Sequence, residues 1–209
     1  MILEACCGSP DRVKDAAERG ANRIELCTAL EMDGLTPPSK WLVDARRSYP
    51  NLRIHVLIRP RVGDFCYSAA ELDLMCSQVD EVLRLGADGI AVGCLTPSGS
   101  VDKEAMKRIM AIVQDCNRPI SVTFHRAFDF CRKPMRAMKD IIALGCDRIL
   151  TSGQAPTAME GVPLLRRLVR AARGRIIIMP CAGITQDKLA HLAQATGATE
   201  FHGSRIMDG

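Results

Sequence analysis

The sequence predicts a closed (β/α)8 barrel of the TIM-like type, and three observations carry that prediction. Eight strand-like apolar runs alternate with helical patterns along 209 residues, which implies a parallel sheet. Glycines mark the helix ends at a regular position. No Gly-x-Gly-x-x-Gly follows the first strand, which removes the main signature of an open doubly wound sheet and leaves the barrel. A single domain over 1–209 fits this length, and 47% hydrophobic residues supply its core.

The first run, 2–6, leads through Ser9-Pro10 into a helical stretch over 11–19 that stops at Gly20. Strand-like runs recur at 23–27, 53–59, 88–93, 119–125, 147–152, 175–180 and 198–202. Helical patterns fall between them at 39–48, 69–85, 102–115, 134–144, 158–172 and 185–196. Gly20, Gly86, Gly145 and Gly197 each follow a helix and precede a strand by two or three residues, where a left-handed helix cap belongs. Eight strands meet only seven helices, and the sequence stops seven residues past His202, so the final helix of the barrel is expected to be missing from this chain.

Composition excludes several classes. Lys and Arg number 28 against 24 Asp and Glu, a net charge of +4. With one Trp and two Tyr there is no basic block interleaved with aromatics, so nucleic acid is not an expected partner. No apolar run reaches the roughly 18 residues of a membrane span and no signal-peptide pattern opens the chain, so a cytoplasmic protein without a membrane partner is expected. Ten Cys in 209 residues fall below the ~8–10% of a disulfide scaffold and sit in apolar runs, as free thiols of a reducing compartment do.

Barrel strands are covered on both faces, yet several here alternate polar and apolar residues. With Ile24 and Leu26 toward the helices, Arg23, Glu25 and Cys27 point into the barrel; with Val122 and Phe124 outside, Ser121, Thr123 and His125 point in. The same parity places Glu4, Cys6, Glu200 and His202 inside, and His55 and Arg59 on one face of strand 3. Buried charges are costly unless paired. A polar interior therefore signals a ligand site or a structural ion-pair network, and Cys27, Arg59, His125 and His202 fall at the C-terminal strand ends where barrels place their chemistry.

Longer strings carry a resemblance: Arg23-Ile24-Glu25-Leu26-Cys27, the stretch from Ile58-Arg59-Pro60-Arg61 to Tyr67-Ser68, Val122-Thr123-Phe124-His125-Arg126-Ala127-Phe128-Asp129, Leu150-Thr151-Ser152-Gly153, and Ala198-Thr199-Glu200-Phe201-His202. In order and over essentially the whole chain, they resemble the copper-homeostasis family CutC. The resemblance implies a TIM-like barrel, a role in copper tolerance or trafficking, Cu(I) bound by cysteines, and a homo-oligomer, dimer or tetramer. Cys6 and Cys27 match the family's usual cysteines. At Pro180-Cys181-Ala182-Gly183 the chain departs from a pattern in which relatives more often show Pro-Gly-Gly-Gly.

Three constellations follow. Cys6 and Cys27, on strands about 4.8 Å apart if adjacent, could offer soft thiolates to one copper ion; the alternative is a pair of small core residues. Glu25, His55 and His125 are candidate acid–base groups, with Arg59, Arg61 and Arg126 to hold an anion. Asp64 and Asp129 read instead as partners that pin loops. Gly183 and Ser204, after strands 7 and 8, stand where many barrels seat a phosphate. Three functions remain open: a Cu(I)-binding protein with copper as ligand, an enzyme doing acid–base chemistry on an anionic small molecule, or an oligomeric scaffold with a vestigial pocket.

Overall fold

Strands buried on both faces must be short and apolar toward the helices, and the computed structural model, which describes residues 1–208, has that form. In chain order it runs β1 (Ile2–Cys7), α1 (Pro10–Glu18), β2 (Arg23–Leu26), α2 (Ser39–Ser48), β3 (Arg53–Leu57), α3 (Ala69–Arg84), β4 (Gly89–Val92) and α4 (Lys103–Gln114). It continues through β5 (Ser121–Phe124), α5 (Pro134–Ala143), β6 (Arg148–Thr151), α6 (Val162–Ala172), β7 (Ile177–Pro180), α7 (Gln186–Thr196) and β8 (Glu200–Gly203). All eight strands lie parallel in one sheet of order β7-β6-β5-β4-β3-β2-β1-β8. β7 and β8 lie close together but share no ladder among the described residues, so the barrel closes except at that seam.

Helix boundaries follow local chemistry. Ser9 caps α1 by accepting from Arg12 N–H, with Pro10 in the first turn. Ser68 and Glu71 form a reciprocal capping box on α3. Gly20, Gly86, Gly145 and Gly197 all adopt positive φ, as their positions predict. α6 starts four residues later than the pattern suggests. Gly161 lies so close to the Ser152 carbonyl that a side chain there would collide with it, which holds 153–161 as a loop. No helix follows β8 among the described residues; the tail is instead fixed to α1 by Arg12 to Asp208 at 3.3 Å and Arg19 to the Met207 carbonyl at 3.1 Å.

Side chains divide by parity. Ile24, Leu26, Ile54, Val56, Ile90, Phe124 and Phe201 are fully buried against the helices in the main core, each contributing roughly 1.5–3 kcal/mol. Inside the barrel the apolar content is small. Cys6, Cys27, Leu57 and Ala91 form one cluster and Leu150, Met179 and Cys181 another, and the remaining interior is polar. No helix among the described residues is long and apolar enough to cross a membrane.

Candidate functional site at the barrel mouth

The polar interior begins at the closed end. In β1–β2 register Glu4 pairs with Arg23 and Cys6 with Glu25, so alternate residues stack two layers of chemistry. In the lower layer Arg23 donates to Glu4 and, at 2.7 Å, to Glu200, which also accepts from Arg148 at 2.6 Å. Each charge in this network has an opposite partner, as burial demands.

Glu4 links the layers. One carboxylate oxygen lies 2.8 Å from His202 Nδ1, and the other lies 3.5 Å from His55 Nδ1. Burial alone would raise the Glu4 carboxyl, but the His202 hydrogen bond and the Arg23 charge hold it well below the usual carboxylate range. His202 is raised: burial opposes its charge, but Glu25 and Glu4 together outweigh that. Its Nε2 stands 3.8 Å from Glu25 Oε1.

Glu25 begins the upper layer. Burial, with the Glu4 charge adding and His202 opposing, pushes its carboxyl up to about 7. One oxygen lies 3.7 Å from Cys6 Sγ, and Oε2 has no partner among the described residues. Cys6 and Cys27 sulfurs are 3.6 Å apart. The contact with Cys27, and burial, raise the Cys6 thiol well above its usual range. One ligand atom from each of Cys6, Glu25 and His202 lies within 4.8 Å of the others. Two sulfurs at this separation can both reach one ion at the ~2.3 Å of a metal–thiolate bond, enclosing about 100°. A histidine whose other nitrogen is fixed by a carboxylate is the usual support of such sites.

These groups form the floor of an open cavity of about 570 Å³. Of the residues singled out in the sequence, Cys6, Cys27, Glu25, Arg59, His125, Arg126, Gly183 and Ser204 line it. Arg59 is buried and spends its Nη groups on the carbonyls of Met32, Gly34 and Gly63, each at 3.1 Å. His125 accepts the Ala127 N–H at 3.2 Å, and burial with the nearby Arg59 charge lowers it to about 3. Arg126 pairs with Asp129 at 3.1 Å, and Asp129 also accepts from Ser152 and Gln154, pinning two loops.

Two singled-out residues stand apart from the lining. His55 lies beneath the floor, lowered by burial to about 4. Arg61 points away, bound to Glu71, to Asp64 at 3.0 Å and to the Cys66 carbonyl at 2.9 Å. Conversely, His202, which strand parity places at a C-terminal strand end, and Cys181 line the cavity, although neither belongs to the three constellations. The parity of Glu200 and His202 was the signal for the first; Arg148, which completes the lower network, carried none beyond its place at a strand start.

With this geometry in view, comparison with known proteins decides the family. The profile of the CutC family matches residues 1–207. The chain belongs to the CutC family. It is 44% identical over 201 residues to the family protein CutC of Bacteroides fragilis, covering 96% of this chain and 78% of that one. It is 42% identical to the human copper homeostasis protein cutC homolog, over 97% of this chain and 72% of the relative. A crystal structure of the copper homeostasis protein CutC from Streptococcus agalactiae superposes with a TM-score of 0.91 at 29% identity, covering 99% of both chains. An aldolase, at TM-score 0.69 and 18% identity, shares the barrel alone.

Proposed function

We propose that this CutC-family chain serves copper homeostasis by binding Cu(I) between the thiolates of Cys6 and Cys27, with Glu25 and His202 beside the ion. One observation carries the reading: two buried sulfurs 3.6 Å apart at the floor of a cavity open to solvent. Soft thiolates select Cu(I), and the unpartnered Glu25 oxygen supplies negative charge next to it. Binding must displace thiol protons, and Cys6 is held above its usual range, so affinity rises with pH. Anaerobic titration against a Cu(I) chelator tests it: roughly stoichiometric copper is expected, lost in Cys6→Ser/Cys27→Ser. Equal affinity in the double variant overturns the reading.

A second reading, acid–base chemistry on a small molecule in the same cavity, is favoured by one observation. Glu25 is a buried carboxyl placed near neutrality, at about 7, as a general acid or base requires. It stands or falls with a Glu25 proton that leaves near neutral pH.

A further inference from the structure

Copper uses only part of the mouth. The cavity, at about 570 Å³, lies within the roughly 300–1,000 Å³ of small-molecule sites, and an ion on Cys6 and Cys27 occupies only the corner where β1 and β2 meet. Another wall holds two donors that have no partner among the described residues. Arg59 is 5% exposed; its three hydrogen bonds all go to backbone carbonyls, no carboxylate pairs with it among the described residues, and its Nε–H has no acceptor.

His125 repeats the pattern. It is 3% exposed, its Nδ1 accepts from Ala127, so the neutral ring carries its proton on Nε2, and that N–H is also without a partner. Both side chains line the cavity and pack on Phe65, the guanidinium 5.0 Å and the imidazole 5.1 Å from its ring centre. A buried cation without a counter-charge and an orphaned N–H are each costly, and buried donors in folded proteins nearly always have partners. An anion in the cavity would supply the counter-charge that Arg59 lacks, and Arg126 at the rim, paired with Asp129, brings a second guanidinium close by.

We propose that this wall is the binding site for a small organic anion, a carboxylate or a phosphate monoester, whose negative charge answers the uncompensated Arg59 guanidinium beside His125. The site is independent of the copper reading and supplies a ligand class for the acid–base one. The test titrates the copper-free full chain with inorganic phosphate and, separately, with acetate. Binding is followed through the His125 Nε2–H resonance in protein carrying ¹⁵N-histidine.

Saturation by at least one anion with a Kd of about 1 mM or tighter is expected, with the His125 signal moving in step. Phosphate alone identifies a phosphate head group and acetate alone a carboxylate. Affinity should fall more than tenfold in Arg59→Met and stay unchanged in Cys6→Ser/Cys27→Ser, which separates this site from the copper site. No saturation by either anion below about 10 mM, or an unmoved His125 resonance in the wild-type chain, overturns the proposal even if Arg59→Met fails to fold. Full affinity in a folded Arg59→Met protein overturns it as well.

Discussion

Glu25 sits between opposing demands. Burial and the Glu4 charge favour the neutral acid, while His202 favours the carboxylate, and the carboxyl settles at about 7 against 4.5 when exposed. Between those values the folded chain holds a proton that the unfolded chain has released, so stability falls as pH rises through this window. The contribution is complete below about 4.5 and lost above about 7, and its full size is on the order of 3 kcal/mol. In copper-free protein, Glu25→Gln should therefore be stabilised relative to wild type at pH 8 by about that amount and nearly indistinguishable from it at pH 4.5. Urea unfolding at the two pH values checks this; an equal difference at both contradicts the Glu25 assignment and with it the acid–base reading. The position of Glu25 was legible in the sequence because strand parity is strict: once Ile24 and Leu26 face the helices, Glu25 has only the barrel to face. Parity ends with the strand. β3 stops at Leu57, and beyond it the loop sends Arg59 inward and Arg61 out to Glu71 and Asp64, a division that alternation does not encode.

At the scale of elements, the glycines that end α1, α3, α5 and α7 made the β/α order readable, because each marks a turn that other residues enter at a cost. The connection from β7 to α7 shows the converse. Ala182 adopts φ of 74°, followed by Gly183 at 71°, while its carbonyl accepts from Ala158 at 3.0 Å and the segment lines the cavity. A left-handed conformation costs a residue with a Cβ roughly 1–2 kcal/mol, and the greater freedom of glycine in the unfolded chain returns about 0.4–1 kcal/mol of that. The glycine that the family resemblance led one to expect at this position thus has a conformational reason. Ala182→Gly should stabilise the chain by on the order of 0.5–1 kcal/mol, raising Tm by about 2 °C. Calorimetry decides it, and a lower Tm would show that the Ala182 methyl contributes more than its backbone costs. The late start of α6 had no comparable signal, since the obstacle is the Ser152 carbonyl, a contact from the end of β6.

For the molecule as a whole, the open question is what holds the barrel shut where β7 and β8 have no ladder. The lower ion network spans that gap. Glu200 on β8 accepts from Arg23 on β2 at 2.7 Å and from Arg148 on β6 at 2.6 Å, and Arg23 in turn reaches Met179 on β7 at 3.3 Å. Side chains inside the barrel thus replace the missing backbone bonds, tying both flanks of the seam to the centre. Removing one partner of a buried charge cluster leaves the others uncompensated, at about 3–5 kcal/mol. Glu200→Gln keeps the shape and some hydrogen bonding while leaving Arg23 and Arg148 with one carboxylate fewer, so a loss on the order of 3 kcal/mol is expected. The location of the effect is the sharper prediction. Amide exchange should quicken first at Phe201–Gly203 and at Ile178 and Met179, with β3 to β5 keeping their protection, because the seam can open without breaking any ladder. Uniform acceleration around the sheet would mean that the network stabilises the fold globally and that the seam is held by something else. The same experiment bears on the site above it. His202 is carried by β8 and held by Glu4 at 2.8 Å, so a seam that loosens in Glu200→Gln should also weaken Cu(I) retention without any change at Cys6 or Cys27.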